Sequence, residues 1–298
     1  MPLNNEKEKE NKNEELLNIK ERKLPLSKCV RFSLFLVMIT VECSISISTG
    51  VLSSASKVVK AHLNIDDKIF GLFGTANGTG RVIGCFIYGI VNQFIKPKYI
   101  LIFELILKGL SCCAYKFINN AFILIVLRGS IGFCHMPFYV YLNCWINQYG
   151  IQKYKNEQIS TVHFVSQLGK STGYLIIWII GQANWHMGFF FEGLYLFFSA
   201  VIFTLTPGDY FSATLYAKKE VSDGKTSYFD DVRILFKNSI YVSGFISRTI
   251  LFGLNAGLHF WFSDYMRTVL HVDKNSLITL TYTIICITGP AGGVIGNN

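Results

Sequence analysis

The chain has 298 residues, of which 51% are hydrophobic and only 16% are charged, and its formal net charge is +9. Soluble domains carry roughly 25% charged residues, so this composition argues against a soluble enzyme and indicates a membrane protein with several spans. It also argues against a nucleic-acid-binding role, because the basic residues lie in short caps between apolar runs and form no continuous patch.

Eight apolar stretches follow the first 29 residues, and each is long enough to cross a hydrocarbon core of roughly 30 Å as a helix. The mixed-charge segment 1–29 that precedes them is predicted to be a disordered cytosolic tail. The long polar connection 207–238 is predicted to be a cytosolic loop between a six-helix bundle over 30–206 and the start of a second bundle over 239–298. The predicted spans are 30–52, 68–93, 99–117, 120–145, 159–181, 187–206, 239–265 and 275–296.

The positively charged residues of the loops predict the orientation of the spans. With a cytosolic N-terminus, 17 of the 28 Lys and Arg residues lie on the cytosolic side, six lie on the other side, and five fall within spans. The sequence therefore predicts a multi-pass membrane protein with a cytosolic N-terminus, in either the plasma membrane or an endolysosomal membrane. No Cys and His spacing resembles a zinc site, and neither a metal nor a cofactor is expected.

A shift of the sequence against itself by 207 residues aligns residues at equivalent places in the span map. Lys60 then matches Arg267, while Asp66 and Asp273 each take the position of a helix N-cap. The further matches are Gly50 with Gly257, Ser56 with Ser263, Leu63 with Leu270, Ile65 with Val272, and Gly89 with Gly296. The seventh and eighth spans are therefore predicted to repeat the first two. Two full repeats would need about 440 residues, so the chain resembles a complete first half and the start of a second half. It is either a fragment or truncated gene model with a missing C-terminal half, or a genuinely short protein.

Several segments resemble the major facilitator superfamily, and within it the Spinster-like branch. Residues 88–99 resemble the superfamily's loop between helices two and three, and its motif positions here are Gly89, Gln93, Lys96 and Lys98. Resemblances to the second, fourth, fifth and seventh helices lie at 63–72, 128–132, 169–174 and 238–261. The resemblance implies an all-α membrane bundle, made of one six-helix half and the first two helices of a second half, that transports a solute.

The sequence departs from the family at its charged motifs. An Asp-Arg pair of the loop between helices two and three is replaced by Gln93 and Phe94. The Asp-Arg pair that Spinster-like proteins carry in the first helix is matched by Ser44 and Ile45, and a carboxylate of their fourth helix is matched by His135. The proton coupling and gating of the family are therefore not carried over to this chain.

Eight charged side chains fall within the predicted spans, where each would cost about 2.5–3.5 kcal/mol in lipid on insertion scales. Such groups pair, reach the interface or line a polar cavity. Glu104 and Lys108 are four residues apart and are predicted to form a structural pair on one helix face, and Glu192 is predicted to be interfacial or structural. The candidates for a substrate or ion pathway, some of them polar neighbours of these charges, are Glu42, Asn77, Arg81, Arg128, His135, His163, Lys170 and Arg248. The alternative is that Glu42 and Arg81 form a structural ion pair and that the histidines are ordinary core residues.

The spans contain five cations and three anions, which predicts a cavity of net positive charge. Arginine suits the binding of carboxylate and phosphate groups. The sequence thus predicts a secondary transporter, either a uniporter or an ion-coupled carrier. We expect it to move an organic anion or a lysolipid-like amphiphile across the bilayer by alternating access. The alternative is a non-transporting or degenerate carrier fragment that acts as a scaffold or partner subunit. An enzyme is not expected, because the His259 to Asp264 spacing of some acyltransferases is short and common and lies within a span. Phosphate-binding motifs are missing, so coupling to ATP is not expected either.

Overall fold

The computed structural model describes residues 27–211 and 228–295, which form ten α-helices and no strand. Eight of these helices are long, and each coincides to within a few residues with one of the eight predicted spans. The predicted tail 1–29 lies outside the described residues except for its last three positions, as do residues 212–227 of the predicted loop. The helices are α1 Lys28–Ser54, α2 Ser56–Leu63, α3 Asp67–Val91, α4 Pro97–Ala114, α5 Ala121–Tyr149, α6 Lys155–Ile180, α7 Trp185–Leu205, α8 Tyr228–Lys237, α9 Ser239–Thr268 and α10 Asn275–Ile295.

Successive long helices run in alternating directions through the bundle. We call the end at which α1 begins the proximal end and the end at which it stops the distal end. Among the described residues, three segments are long and apolar enough to cross a membrane by length and composition alone: Lys28–Ser54, Ala121–Tyr149 and Gln182–Leu205. Asn275–Thr288 of α10 is a shorter apolar segment. The remaining long helices carry more polar residues, which is expected of helices that face a polar interior as well as lipid.

Polar side chains begin several helices, and one of them lies at a predicted N-cap position. Asp66 accepts a hydrogen bond from the backbone N–H of Ile69 at 2.8 Å, as the N-cap prediction requires. Asn120 and Asn238 cap α5 and α9 in the same way. The N-cap prediction for Asp273 is wrong, because α10 begins at Asn275 and its first helical hydrogen bonds go to the carbonyl of the residue before it, Lys274.

The first six long helices pack in pairs, with α1 along α6, α3 along α5, and α4 along α7. Two of these contacts bring backbones together at glycine. A Cβ atom on Gly50 would overlap the carbonyl oxygen of Lys170, and one on Gly132 would overlap that of Asn77. The missing side chains therefore set the distance between the helices, as small residues do in membrane bundles.

The interior of the six-helix unit has two apolar clusters with a polar layer between them. The proximal cluster includes Met38, Phe138 and Trp145, and the distal cluster includes Phe70 and Trp185. Between the two clusters lie buried charged side chains of α1, α4, α5 and α7, namely Glu42, Lys108, Arg128 and Glu192. Their burial in an otherwise apolar interior makes this layer the place to look for a site.

Helices α9 and α10 dock on the first six at the distal end. Tyr174 of α6 stacks on Tyr282 of α10 with ring centroids 3.8 Å apart. The hydroxyl of Ser53 on α1 lies 2.7 Å and 2.9 Å from the carbonyl oxygens of His259 and Phe260 on α9. We call these contacts, together with the hydrogen bonds of Ser56 and Lys60 to Asp264, the distal seal.

The predicted repeat has a counterpart in the two distal turns. Lys60 pairs with Asp67, the first residue of α3, at 2.7 Å. Its match in the repeat, Arg267, donates to Asn275, the first residue of α10, at 2.6 Å. Both cations thus tie the end of one long helix to the start of the next. The division into a six-helix bundle and the start of a second bundle stays a prediction.

Candidate solute pathway

A chain of hydrogen bonds links three of the predicted pathway residues in the middle of the bundle. Nη2 of Arg81 lies 3.0 Å from Nδ1 of His135, and Nε2 of the same imidazole lies 3.4 Å from Oε1 of Glu42. A guanidinium only donates, so Nδ1 accepts and the ring proton resides on Nε2, which donates to the carboxylate. His135 therefore bridges Glu42 and Arg81, whereas the alternative considered from the sequence was a direct ion pair between them.

The Glu42 carboxylate is fully buried and lies among cations from several helices. This carboxylate interacts electrostatically with the cations Lys108 of α4, Arg81 of α3 and Lys170 of α6. Ser166 lies beside it. Lys170 itself donates to Gln167 at 3.1 Å. We call Glu42, Arg81, His135 and Lys170 the middle layer, and its cations outnumber its one carboxylate.

A buried ion pair lies nearer the distal end than the middle layer does. Nζ of Lys108 is 3.0 Å from Oε1 of Glu192, both side chains are buried, and Nζ also donates to the carbonyl of Ile45. The predicted pair of Lys108 with Glu104 is therefore wrong, because the long side chain of Lys108 reaches across to α7 rather than along α4. Of the two predicted roles of Glu192, interfacial or structural, its burial and its pairing with Lys108 favour the structural one.

Arg128 of α5 lies near this pair, and we call Lys108, Glu192 and Arg128 the distal layer. Among the described cations of the interior, Arg128 has the most unpaired nitrogens. It is 1% exposed, and one of its nitrogens, Nη2, lies 3.3 Å from Oγ1 of Thr49. Its Nε and Nη1 atoms have no hydrogen-bond partner among the described residues. A buried guanidinium with two free donors is costly unless something accepts from it, so it is a natural place for an anion or water.

The remaining predicted residues lie apart from these two layers. The Tyr139 hydroxyl lies 3.0 Å and 3.2 Å from the two ring nitrogens of His163, towards the proximal end. Arg248 of α9 is exposed and lies close enough to His163 to interact with it electrostatically. Asn77 packs against Gly132 at the contact between α3 and α5. These three side chains are therefore not part of the Glu42 chain.

The predicted motif loop has a mainly structural arrangement. Nζ of Lys98 donates to the carbonyl oxygens of Thr204 and Thr206 at 2.9 Å and 2.6 Å and so caps the C-terminus of α7. Lys96 precedes Pro97, which begins α4, and is exposed; Gln93 is exposed as well. Gly89 lies in the last turn of α3, and none of these four residues lies in either charged layer.

Sequence reasoning missed some contributors to the two layers. Lys108 and Glu192 were visible as charges within spans, but helical spacing pairs residues on one helix and does not show which helices face one another. Thr49 and Ser166 gave no signal, and neither did Tyr139 beside His163, since single hydroxyls are common in membrane helices. No group of three or more His, Cys, Asp or Glu side chains suited to a metal ion occurs in the described part of the chain.

The sequence profile of the Major Facilitator Superfamily matches residues 35–298. The chain belongs to the major facilitator superfamily. Among solved structures it is similar to a bacterial homologue of the human lysosomal transporter Spinster in an inward-facing, unoccupied conformation, with a TM-score of 0.71 and 14% identity over 91% of this chain. It is also similar to a mutant of the nucleoside transporter NupG, with a TM-score of 0.65 and 14% identity over 88% of this chain.

The chain spans 62% of the length of the Spinster homologue and 66% of that of NupG. Comparison with curated proteins gives no match. Membership of the superfamily confirms the predicted all-α membrane bundle and supports a multi-pass membrane protein. At 14% identity the two solved structures support the fold alone, and assignment to the Spinster-like branch stays a prediction.

Proposed function

We propose that this superfamily member is a secondary carrier that moves an organic anion, or an amphiphile with an anionic head group, by alternating access. The buried guanidinium of Arg128, with two unpaired donors at 1% exposure, is the observation that carries this proposal. Arginine donors in a low-dielectric interior favour carboxylate or phosphate oxygens. Arg81 and Lys170 add positive charge along the same interior path.

The arrangement of the helices suits one of the two access states of such a carrier, the state in which the distal end is closed. The distal seal joins α1 to α9, whereas Ser239–Leu258 of α9 is exposed towards the proximal end. With the cytosolic N-terminus that the loop charges predict, the distal seal would close the side of the membrane opposite the cytosol. Reopening the distal end would require the contacts of Ser53 and Lys60 to α9 to break.

Both uniport and ion coupling are compatible with this proposal. The imidazole of His135 can carry its proton on either ring nitrogen and is hydrogen-bonded to both Arg81 and Glu42, so a pH gradient is the first driving gradient to test. The two similar solved structures do not narrow the solute, because they are a homologue of a lysosomal transporter and a nucleoside transporter.

Counterflow in proteoliposomes tests the proposed function. The full chain is reconstituted and offered labelled dicarboxylates, a lysophosphatidate and neutral solutes of similar size, with and without a pH gradient. We expect uptake of at least one anion, and a loss of about 100-fold in the Arg81→Gln, Arg128→Gln double variant, because a buried charge contact is worth about 2–5 kcal/mol.

Lys57→Gln provides the matched control, since Lys57 is an exposed cation on α2 outside both layers. Arg81→Lys and Arg128→Lys keep the positive charge and serve if the glutamine variants do not fold. Unchanged anion uptake in the folded double variant, or a preference for the neutral solutes, would contradict the proposal.

A second candidate function is that of a partner subunit without transport activity of its own. It is supported by the continuous exposure of apolar side chains along α9, including Phe245, Ile250 and Leu254, together with Arg248. An exposed arginine on an apolar helix face is costly in lipid, so another protein surface would stabilise it. Disulfide crosslinking through Leu254→Cys tests whether copies of the chain associate along α9. Absence of uptake together with a specific crosslinked dimer would favour this function.

A further inference from the structure

Two histidines meet at the distal end, outside both charged layers. His62 lies in the last turn of α2 and His186 in the first turn of α7, and their ring centroids are 5.2 Å apart with an interplanar angle of 77°. They are 124 positions apart in the sequence, so no local spacing could have indicated the pair.

Both imidazoles have nitrogens available for a ligand. Within residues 27–211 and 228–295, neither ring takes part in a hydrogen bond or an ion pair, although each contacts aromatic rings. His62 is exposed and His186 is half-buried, so the pair is accessible from the distal side. Neutral imidazole with a free nitrogen is the commonest protein ligand for transition-metal ions.

The separation of the rings fits a shared ion. An ion bound about 2.0–2.1 Å from one nitrogen of each ring, with a tetrahedral angle between them, holds the ring centres about 5 Å apart. The ring of His186 is also held in place, because it stacks on Trp185, which is 1% exposed, at a centroid distance of 3.9 Å. His62 lies one residue before the end of α2, which Asn64 terminates in the left-handed conformation.

From this geometry we propose that His62 and His186 form a binding site for a divalent transition-metal ion of the Zn²⁺ and Cu²⁺ class. Imidazole suits zinc, copper and nickel, whereas magnesium and calcium prefer oxygen ligands. Water completes the coordination sphere, since no third protein ligand lies with the pair among the described residues. The proposal does not depend on transport by the chain.

The position of the site gives it a consequence for the distal seal. Helix α2 has eight residues, and it carries both His62 and Lys60, which bonds to Asp264 of α9. An ion held between α2 and α7 would fix the helix that bears half of this contact. Metal ions on the distal side of the membrane would therefore affect how firmly the distal seal is held.

Cu²⁺ electron paramagnetic resonance tests the proposal on the full chain in lipid nanodiscs, purified without a histidine tag. We expect one ion per chain with two imidazole nitrogens in its coordination sphere. His62→Gln and His186→Gln should each remove one nitrogen and weaken Zn²⁺ binding, measured by calorimetry, by about tenfold or more.

His271→Gln is the matched control, because His271 is an exposed distal histidine with no ring or hydrogen-bond contact to the pair. It should leave both the spectrum and the affinity unchanged. His62 is exposed, so its variant is expected to fold even if His186→Gln does not. A wild-type spectrum with fewer than two nitrogen ligands, or Zn²⁺ binding that neither substitution weakens, overturns the proposal, whatever the chain transports.

Discussion

At the scale of single residues, the interior of the bundle is governed by how buried charges find partners. His135 shows this most clearly, because it accepts from Arg81 on one nitrogen and donates to Glu42 from the other. One neutral ring thereby satisfies a cation and a carboxylate at once, which lowers the cost of burying both. Lys108 is satisfied in a different way, because its ammonium group contacts both the Glu192 carboxylate and the Ile45 carbonyl.

Substitution of His135 separates its bridging role from its volume. His135→Phe leaves Arg81 and Glu42 without the bridge and should destabilise the fold by about 3–5 kcal/mol, as breaking a buried pair does. His135→Gln offers one acceptor and one donor and should lie within about 1.5 kcal/mol of wild type. Equilibrium unfolding in mixed micelles measures both. Equal losses for Phe and Gln would show that the bridge contributes little to stability.

At the scale of helices, close contacts and end caps determine which helices are neighbours. Gly80 and Gly84 of α3 bring its backbone against that of α5, whereas nothing lies within 4 Å of a Cβ built on Gly78. At the proximal end, Arg31 donates to the carbonyl of Tyr149 at 3.1 Å and so holds the C-terminus of α5. Lys98 holds that of α7 in the same way, because cations suit the negative end of a helix.

Two glycines of α3, two residues apart, provide a matched test of the helix contact. A Cβ on Gly80 would overlap the carbonyl oxygen of Gly129, so Gly80→Ala should cost about 1–3 kcal/mol through backbone displacement. Gly78→Ala meets open space and should be neutral. Thermal unfolding of the two variants under identical conditions measures the difference. A Gly80→Ala variant as stable as Gly78→Ala would show that α3 and α5 do not pack this closely.

At the scale of the whole molecule, the distal seal joins the first six long helices to α9 and α10. Lys60, which lies outside the spans, takes part in it through Asp264 and Asp67. Burial alone would lower the pKa of Lys60, but hydrogen bonds and charge from these two carboxylates outweigh burial and raise it. The contribution of Lys60 to the closed seal is thus fully present below the ordinary lysine pKa of about 10.4 and is lost as the pH rises through the raised value.

Lys60→Gln should shift the molecule towards conformations in which the distal end is open. Exposed ion pairs contribute about 0.2–1 kcal/mol, so we expect at most about a fivefold change in population at neutral pH. Spin labels at Lys57 and Leu270, both exposed, report the distance across the seal. Lys116→Gln, which removes a distal cation that lies over Phe190, is the control. An identical distance distribution in wild type and Lys60→Gln would contradict a role for this contact.

The sequence by itself determined the class of the protein and its helices. Apolar runs of about 20 residues must form helices in a bilayer, since every backbone polar group has to be satisfied within the segment. That physical constraint is local, which explains why all eight predicted spans coincide with long helices and why Asp66 was identifiable as an N-cap. It also explains why family motifs at 63–72 and 128–132 could be read directly.

Only the tertiary structure decided which buried charges meet. The pairing of Lys108 with Glu192, the bridge of His135 between Arg81 and Glu42, and the two free donors of Arg128 all depend on which helices are neighbours and how each is rotated. Helical periodicity predicts partners only on the same helix, as the wrong pairing of Glu104 with Lys108 shows. Contacts between residues far apart in sequence are set by helix packing, through close approaches such as that of Gly50 to Lys170.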